Sequence, residues 1–100
     1  MALSRPAALR IVRRLAAVSE NVFFTDHAQR RMRQRHVTRP QVLDCLRKGL
    51  IVEGPALGTR QAWEMKFERS WSGEMVRVVV ALDWDAEAAA HVLVVTVIGE

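Results

Sequence analysis

A histidine and two arginines stand four residues apart in a basic stretch of the chain, at His27, Arg31 and Arg35. At about 100° per residue in a helix, they fall within a sector of about 80° on one face. Ala28 and Met32 lie beside them and form the apolar stripe of the same helix, so we expect the polar row to border the core and face a cleft. An imidazole beside two guanidinium groups is suited to binding a phosphate.

The chemistry that this row could perform without a metal or a cofactor is transesterification of RNA. His27 lies in the first turn of the predicted helix, where the positive end of the helix dipole disfavours the charged imidazolium, so a neutral general base is expected. It would take the proton of a 2′-hydroxyl while Arg31 and Arg35 stabilise the charge that builds on the phosphate oxygens. The alternative is structural: a histidine bonded to backbone, and arginines paired to acids such as Asp44 or Glu53.

The distribution of charge favours an anionic partner for the first half of the chain. The net charge is +4, but residues 1–48 carry eleven basic and three acidic side chains, whereas residues 49–100 carry four and eight. Thirteen of the fifteen basic residues are arginine, which binds phosphate through two parallel hydrogen bonds. A GC-rich genome would also favour arginine over lysine, although it does not explain why the arginines crowd into one half.

Length and composition predict one globular domain over residues 1–100, with 50% hydrophobic and 26% charged residues. No apolar run approaches the roughly 20 residues of a membrane-spanning helix, and neither a membrane partner nor a metal site is expected. The single cysteine, Cys45, excludes an internal disulfide and favours a cytoplasmic protein. The first nineteen residues have the composition of a transit peptide, but they also fit an amphipathic helix capped by Ser4.

Three helices are predicted in the first half of the chain. The first lies within residues 1–20, and the second covers about residues 26–35 after a Thr-Asp cap. The third begins with a capping box at Thr38 and ends at Gly49.

Strands are predicted from residue 50 onwards, because the apolar period changes there from about 3.6 to 2. The predicted strands are residues 50–53, residues 63–68 with alternating apolar side chains, and the nearly continuous valine-rich runs 75–82 and 91–98, with turns at Gly54-Pro55 and Ser72-Gly73. The chain is therefore predicted to be α+β, with about three N-terminal helices on one face of a small antiparallel sheet of about four strands.

Three segments carry a recognisable pattern: HAQRRMRQRHVT at residues 27–38, IVEG at 51–54 and VVTVI at 94–98. They resemble a bacterial family of small domains without assigned function, which is grouped with the RelE-like and BrnT-like toxins of toxin–antitoxin systems. The resemblance covers about residues 22–99 and leaves residues 1–20 as an additional N-terminal helix.

This resemblance implies a RelE-like fold and a metal-independent ribonuclease. Its substrate would be messenger RNA, free or on the ribosome, and a cognate antitoxin protein would hold it inactive. The recurring polar residues of the family match four positions here: His27, Arg31, Arg35 and Thr96. Thr96 is also the only hydroxyl in its strand, so it either bonds the backbone or lines the site. His36 stands where the family commonly has glycine, so we expect a side chain in a left-handed turn there. The sequence also allows a homodimer.

Four further cations could contact the RNA backbone: Arg30, Arg33, Lys66 and Arg77. Arg30 and Arg33 point away from the polar row, where they are also typical of a solvated face. Lys66 and Arg77 project from strands, and the alternative for them is pairing with a neighbouring acid, namely Glu64, Glu68 or Glu74.

Two other functions stay open. The helices on either side of His36 resemble a DNA-binding helix-turn-helix, although only Arg39 and Gln41 of the third helix could read bases. A non-catalytic interaction domain, such as an inhibitor that occupies a nucleic-acid site of another protein, would use the same arginine face. Replacement of His27 separates these functions, because an enzyme loses activity whereas a pure binder keeps its affinity.

Overall fold

The computed structural model describes residues 2–58 and 61–98. Within them the chain forms three α-helices, two short 3₁₀ helices and five strands. The helices are α1 (Arg5–Ala16), α2 (Asp26–Arg35) and α3 (Arg39–Lys48), and the strands are β1 (Val22–Phe24), β2 (Leu50–Leu57), β3 (Ala62–Trp71), β4 (Glu74–Asp83) and β5 (Val92–Ile98). The α+β class predicted from the sequence is confirmed. The boundary predicted at residue 99 lies outside the described residues.

Each α-helix starts at a cap that the sequence predicts. Ser4 caps α1, Thr25 caps α2 and Thr38 caps α3, and each hydroxyl accepts a backbone N–H three residues later. In α3 the Gln41 side chain also accepts the Thr38 N–H at 2.7 Å, which completes the capping box. At the end of α2, His36 adopts the left-handed conformation with φ 56°. The expected side chain in a left-handed turn is thus confirmed.

The sheet is mixed, with one parallel strand that the predicted antiparallel sheet of about four strands did not include. The strand order is β1-β5-β4-β3-β2, and β1 pairs in parallel with β5, with Val22 opposite Val92 and Phe24 opposite Val94. The remaining neighbours are antiparallel. Sequence patterning missed β1 because three residues are too few to show a period of two.

Strand β2 continues through Gly54 and Pro55, where the sequence predicted its end. β2 lies at the edge of the sheet and its register with β3 shifts on either side of Glu53, an arrangement that tolerates proline because no further strand needs its N–H. Gly54 has φ +82°, and a Cβ there would lie 2.6 Å from the carbonyl oxygen of Glu64. Only glycine therefore lets the strand pass this point.

The hydrophobic core lies between the sheet and the helices α1 and α3. Alternate residues of the two long strands supply one side: Met65, Phe67, Val78 and Val80. The helices supply the other side: Ile11, Val12 and Leu15 from α1, and Val42, Cys45 and Leu46 from α3. The additional N-terminal helix, α1, therefore packs its apolar face into the core of the domain. In the part of the chain that the structure describes, no helix has the length and apolarity needed to cross a membrane.

Candidate functional site

Helix α2, which carries the predicted polar row, is fixed to β5 by its N-terminal cap. The Thr25 N–H donates to the carbonyl of Val94 at 3.1 Å, and the Thr25 hydroxyl donates to the carbonyl of Val95 at 2.9 Å. Ala28 and Met32 are buried, so the apolar stripe of α2 joins the core. The contacts of α2 with the sheet are made mainly to β5. The polar row therefore borders this buried stripe, as the spacing predicts.

The three residues of the polar row differ in exposure. His27 is exposed, whereas Arg31 and Arg35 are half-buried. All three lie within one continuous helix, so the spacing of four residues does place them along one face. The side chains of the row are therefore more exposed at the N-terminus of α2 than toward its C-terminus.

Arg31 holds a buried hydrogen-bond donor for which no described residue supplies an acceptor. Its Nε atom is buried and unpartnered, and Arg31 takes part in no ion pair within residues 2–58 and 61–98. The acids that the sequence suggested as partners pair with other cations: Asp44 with Arg69 and Lys48, and Glu53 with Lys66. An unsatisfied buried donor costs about 1–3 kcal/mol. Arg31 is therefore held in place at a cost to stability, which is typical of a residue that serves a function.

Thr96 lies on the face of β5 that points away from the core. It stands opposite Val79 of β4, and the register shift beside this pair leaves Val95 without a partner in β4. Val97, the next residue, is buried. The Thr96 hydroxyl makes no hydrogen bond to any described residue, and it is not among the buried unpartnered atoms. It is therefore open to a ligand rather than bonded to the backbone.

A cleft of about 420 Å³ opens at the C-terminal end of α2, and we refer to it as the α2–β4 cleft. Nine of the described residues line it: Arg35, His36, Val37, Gln41, Glu74, Met75, Val76, Arg77 and Ile98. The cleft brings together Arg35 and Arg77, two of the predicted site residues. His27, Arg31 and Thr96 lie outside its described lining. The structure thus divides the predicted residues between this cleft and the exposed start of α2.

The remaining predicted cations have other positions. Arg30 and Arg33 are exposed on α2, as their side of the helix predicts. Arg77 donates to Glu68 at 2.8 Å, which is the cross-strand pair that the sequence suggested as the alternative. Lys66 pairs with an acid that was not considered for it, Glu53 of β2 at 3.1 Å, because the two residues are opposite each other in the ladder.

Sequence reasoning missed three polar residues of the α2–β4 cleft as members of one site. His36, Gln41 and Glu74 come from the end of α2, from α3 and from β4. No spacing in the sequence connects them, because tertiary packing alone brings these three elements to one place. The sequence indicates Gln41 as part of the capping box and as a possible base-reading residue of a helix-turn-helix, but not as a neighbour of Glu74.

Cys45 is a core residue, as the sequence predicts. Burial raises the pKa of its thiol from 9.0 to about 12, and the neighbouring Asp44 carboxylate acts in the same direction. The sulfur lies 3.7 Å from the carbonyl oxygen of Val76, to which the thiol donates. A protonated, enclosed thiol is unsuited to nucleophilic chemistry.

Comparison with protein families matches residues 24–98 to the family described as Domain of unknown function (DUF4258). Searches of curated proteins and of solved structures give no match. The matched segment includes the polar row of α2, Thr96 and all residues that line the α2–β4 cleft. Because the match extends over well more than half of its residues, the chain belongs to the DUF4258 family.

Proposed function

We propose that the chain is a metal-independent endoribonuclease acting on messenger RNA, a toxin of the RelE-like and BrnT-like kind. One observation carries the proposal. Arg31 presents a guanidinium one helical turn from the exposed His27, its Nε is buried without an acceptor, and no described acid neutralises it. A phosphodiester placed across this turn would contact both side chains.

The proposed reaction uses His27 as the general base. Its imidazole takes the proton of a 2′-hydroxyl, the 2′ oxygen forms a bond to the adjacent phosphorus, and the bond between phosphorus and the 5′ oxygen breaks. The products are a 2′,3′-cyclic phosphate and a 5′-hydroxyl, which takes its proton from solvent. Arg31 and Arg35 stabilise the negative charge on the phosphate oxygens.

Ligand binding would offset part of the cost of the Arg31 position, while the buried Nε itself stays unpartnered. A phosphate bound at the terminal nitrogens of Arg31 supplies the negative charge that no described side chain provides. Such charge-assisted hydrogen bonds are about twice as strong as neutral ones. The excess of basic side chains in residues 1–48 also attracts RNA from a distance.

A protein antitoxin belongs to the same proposal, because an active ribonuclease must be restrained in the cell that makes it. The basic first half of the chain favours an acidic partner.

The helix-turn-helix alternative receives less support from the structure. The guanidinium of Arg39 lies 4.5 Å from the centre of the Phe24 ring, and Gln41 belongs to the capping box of α3. Arg39 is therefore engaged within the fold, and Gln41 keeps only its amino group for a ligand.

The test is growth of bacteria after controlled induction of the wild-type chain, His27→Ala, Arg31→Ala and the control Arg14→Ala, with expression levels matched by blot. Arg14 is an exposed cation of α1, so its loss changes the charge equally but leaves the polar row and the other predicted RNA contacts intact. We expect arrest by the wild type and the control, and growth of the other two. Purified wild type should then cleave RNA in excess chelator and leave 2′,3′-cyclic phosphate ends. Equal growth of all four strains, with soluble protein in each, contradicts the proposal.

A further inference from the structure

The α2–β4 cleft has the size and lining of a site for a flat organic group. Its volume of about 420 Å³ lies within the range of small-molecule sites, roughly 300–1,000 Å³. Apolar side chains supply part of the lining: Val37, Met75, Val76 and Ile98. Met75 is 46% exposed although it is apolar, so it offers a surface on which a ring can lie.

Gln41 supplies two hydrogen-bond donors to this cleft. Its Oε1 atom accepts the Thr38 N–H at 2.7 Å and the Thr38 hydroxyl at 3.2 Å. A backbone N–H can only donate, so this contact fixes which end of the amide is the oxygen. The Nε2 amino group therefore points away from Thr38, and no described residue accepts its protons.

Glu74 supplies acceptors to the same cleft. It is exposed, and its carboxylate makes no hydrogen bond or ion pair with any described residue. Arg77 also lines the cleft, but the carboxylate with which it pairs is that of Glu68. An ionised carboxylate has two oxygens and no proton, so it selects a partner with two adjacent donors.

We propose that the α2–β4 cleft binds a guanine base of the RNA substrate and thereby sets the sequence preference of the ribonuclease proposed above. Guanine is the RNA base whose pairing edge carries two adjacent donors, N1–H and N2–H, next to an acceptor, O6. The Glu74 carboxylate accepts from both donors, and the Gln41 amide donates to O6. Adenine, cytosine and uracil each place an acceptor where the carboxylate requires a donor. The ring lies on Met75.

Arg35 links this base site to the proposed reaction centre, because it belongs both to the polar row and to the cleft lining. His27 and Arg35 are eight residues apart, or about 12 Å along the helix axis. A short run of single-stranded RNA can therefore place a guanine in the cleft and the reacting phosphodiester beside His27.

The experiment measures binding without cleavage. Short single-stranded oligoribonucleotides that differ only in one central base are titrated, by fluorescence anisotropy, into the full chain carrying His27→Ala. We expect the guanine oligonucleotide to bind roughly tenfold or more tightly than the other three, as a bidentate contact provides. Adding Glu74→Gln should bring the four affinities within about twofold of one another, since the amide replaces one acceptor by a donor. The control Glu20→Gln removes the same charge from an exposed position outside the cleft and should keep the preference.

Equal binding of the four oligonucleotides overturns the inference, and so does a guanine preference that survives Glu74→Gln. Cleavage by the wild type with no guanine near the cut sites also overturns it, while it leaves the ribonuclease proposal standing. Guanine-selective binding by a wild-type chain that never cleaves RNA upholds the base site and contradicts the ribonuclease.

Discussion

The hydroxyl of Thr25 donates a hydrogen bond of 2.9 Å to the carbonyl oxygen of Val95, 70 residues later in the chain. The same hydroxyl accepts the N–H of Ala28 at 2.9 Å, so one side chain both caps α2 and ties it to β5. His27 follows the cap by two residues, and Thr96 follows Val95 directly. The Thr25 to Val95 contact therefore sets the start of α2 beside the strand that carries Thr96.

Thr25→Val is expected to lower the free energy of unfolding by about 1–2 kcal/mol, because it removes a helix cap and leaves the Val95 carbonyl with one acceptor site unused. Thr25→Ser keeps the hydroxyl and should recover most of the loss. Urea unfolding measures both. Ser4→Ala is the matched control, since its cap on α1 is exposed and its hydroxyl makes no tie to a strand. An equal loss of unfolding free energy in Ser4→Ala would show that the hydrogen bond from Thr25 to Val95 adds nothing to stability.

Arg31→Met is expected to abolish growth arrest and RNA cleavage while it raises the free energy of unfolding by about 1 kcal/mol. Methionine has a similar length and no buried N–H, so it relieves the cost of the unpartnered Nε. Urea unfolding and the induction assay give the two readouts. Arg14→Met, at an exposed position of α1, should change neither. Lower stability in Arg31→Met would mean that the Nε donor has a partner in solution.

His36→Gly is expected to raise the free energy of unfolding by about 0.5–1 kcal/mol. His36 has φ 56°, which disfavours any residue with a Cβ, and glycine adopts this conformation freely. His36→Ala keeps the Cβ and should bring no such gain, so the pair separates backbone conformation from side-chain contacts. Thermal unfolding provides the comparison. Equal stability of the alanine and glycine variants would contradict this explanation.

The stability of the protein is expected to fall in alkaline solution partly because of Cys45. Burial raises the pKa of its thiol from 9.0 to about 12, so the folded state holds this proton more tightly than the unfolded chain does. The contribution of the buried neutral thiol is complete below about pH 9 and is lost as the pH rises toward 12.

This contribution is measured by urea unfolding of the wild type and Cys45→Ala at about pH 8 and about pH 11. The wild type should lose more stability between the two conditions, because only it has the thiol to ionise. A constant difference between the two proteins would show that the thiol pKa is not raised by folding.

The helices could be read from the sequence because their signals are local. A cap at Ser4, Thr25 or Thr38 acts within one turn, and the structure shows all three. The polar row on α2 was predictable for the same reason, since a spacing of four residues needs only the helix itself.

The features that sequence reasoning missed depend on contacts between distant segments. β1 is a strand because Val92 and its neighbours lie beside it, and its own three residues carry no signal. β2 continues through Gly54 and Pro55 because it lies at the edge of the sheet. The sequence does not show the order of the strands, so it could not show that β2 is an edge strand. Gln41 and Glu74 share a cleft through packing of α3 near the start of β4, so neither residue indicated a binding site alone.

The position of β5 has a consequence for synthesis of the chain. β5 is the last of the described elements to leave the ribosome, yet β1 pairs with it and α2 packs mainly on it. The helix with His27 is therefore made early and has no strand to dock against until residues 92–98 emerge. Pairing between such distant segments is slow, because a long loop must close before any contact forms. A partly synthesised chain would thus carry His27, Arg31 and Arg35 of the proposed ribonuclease on a helix that is not yet docked.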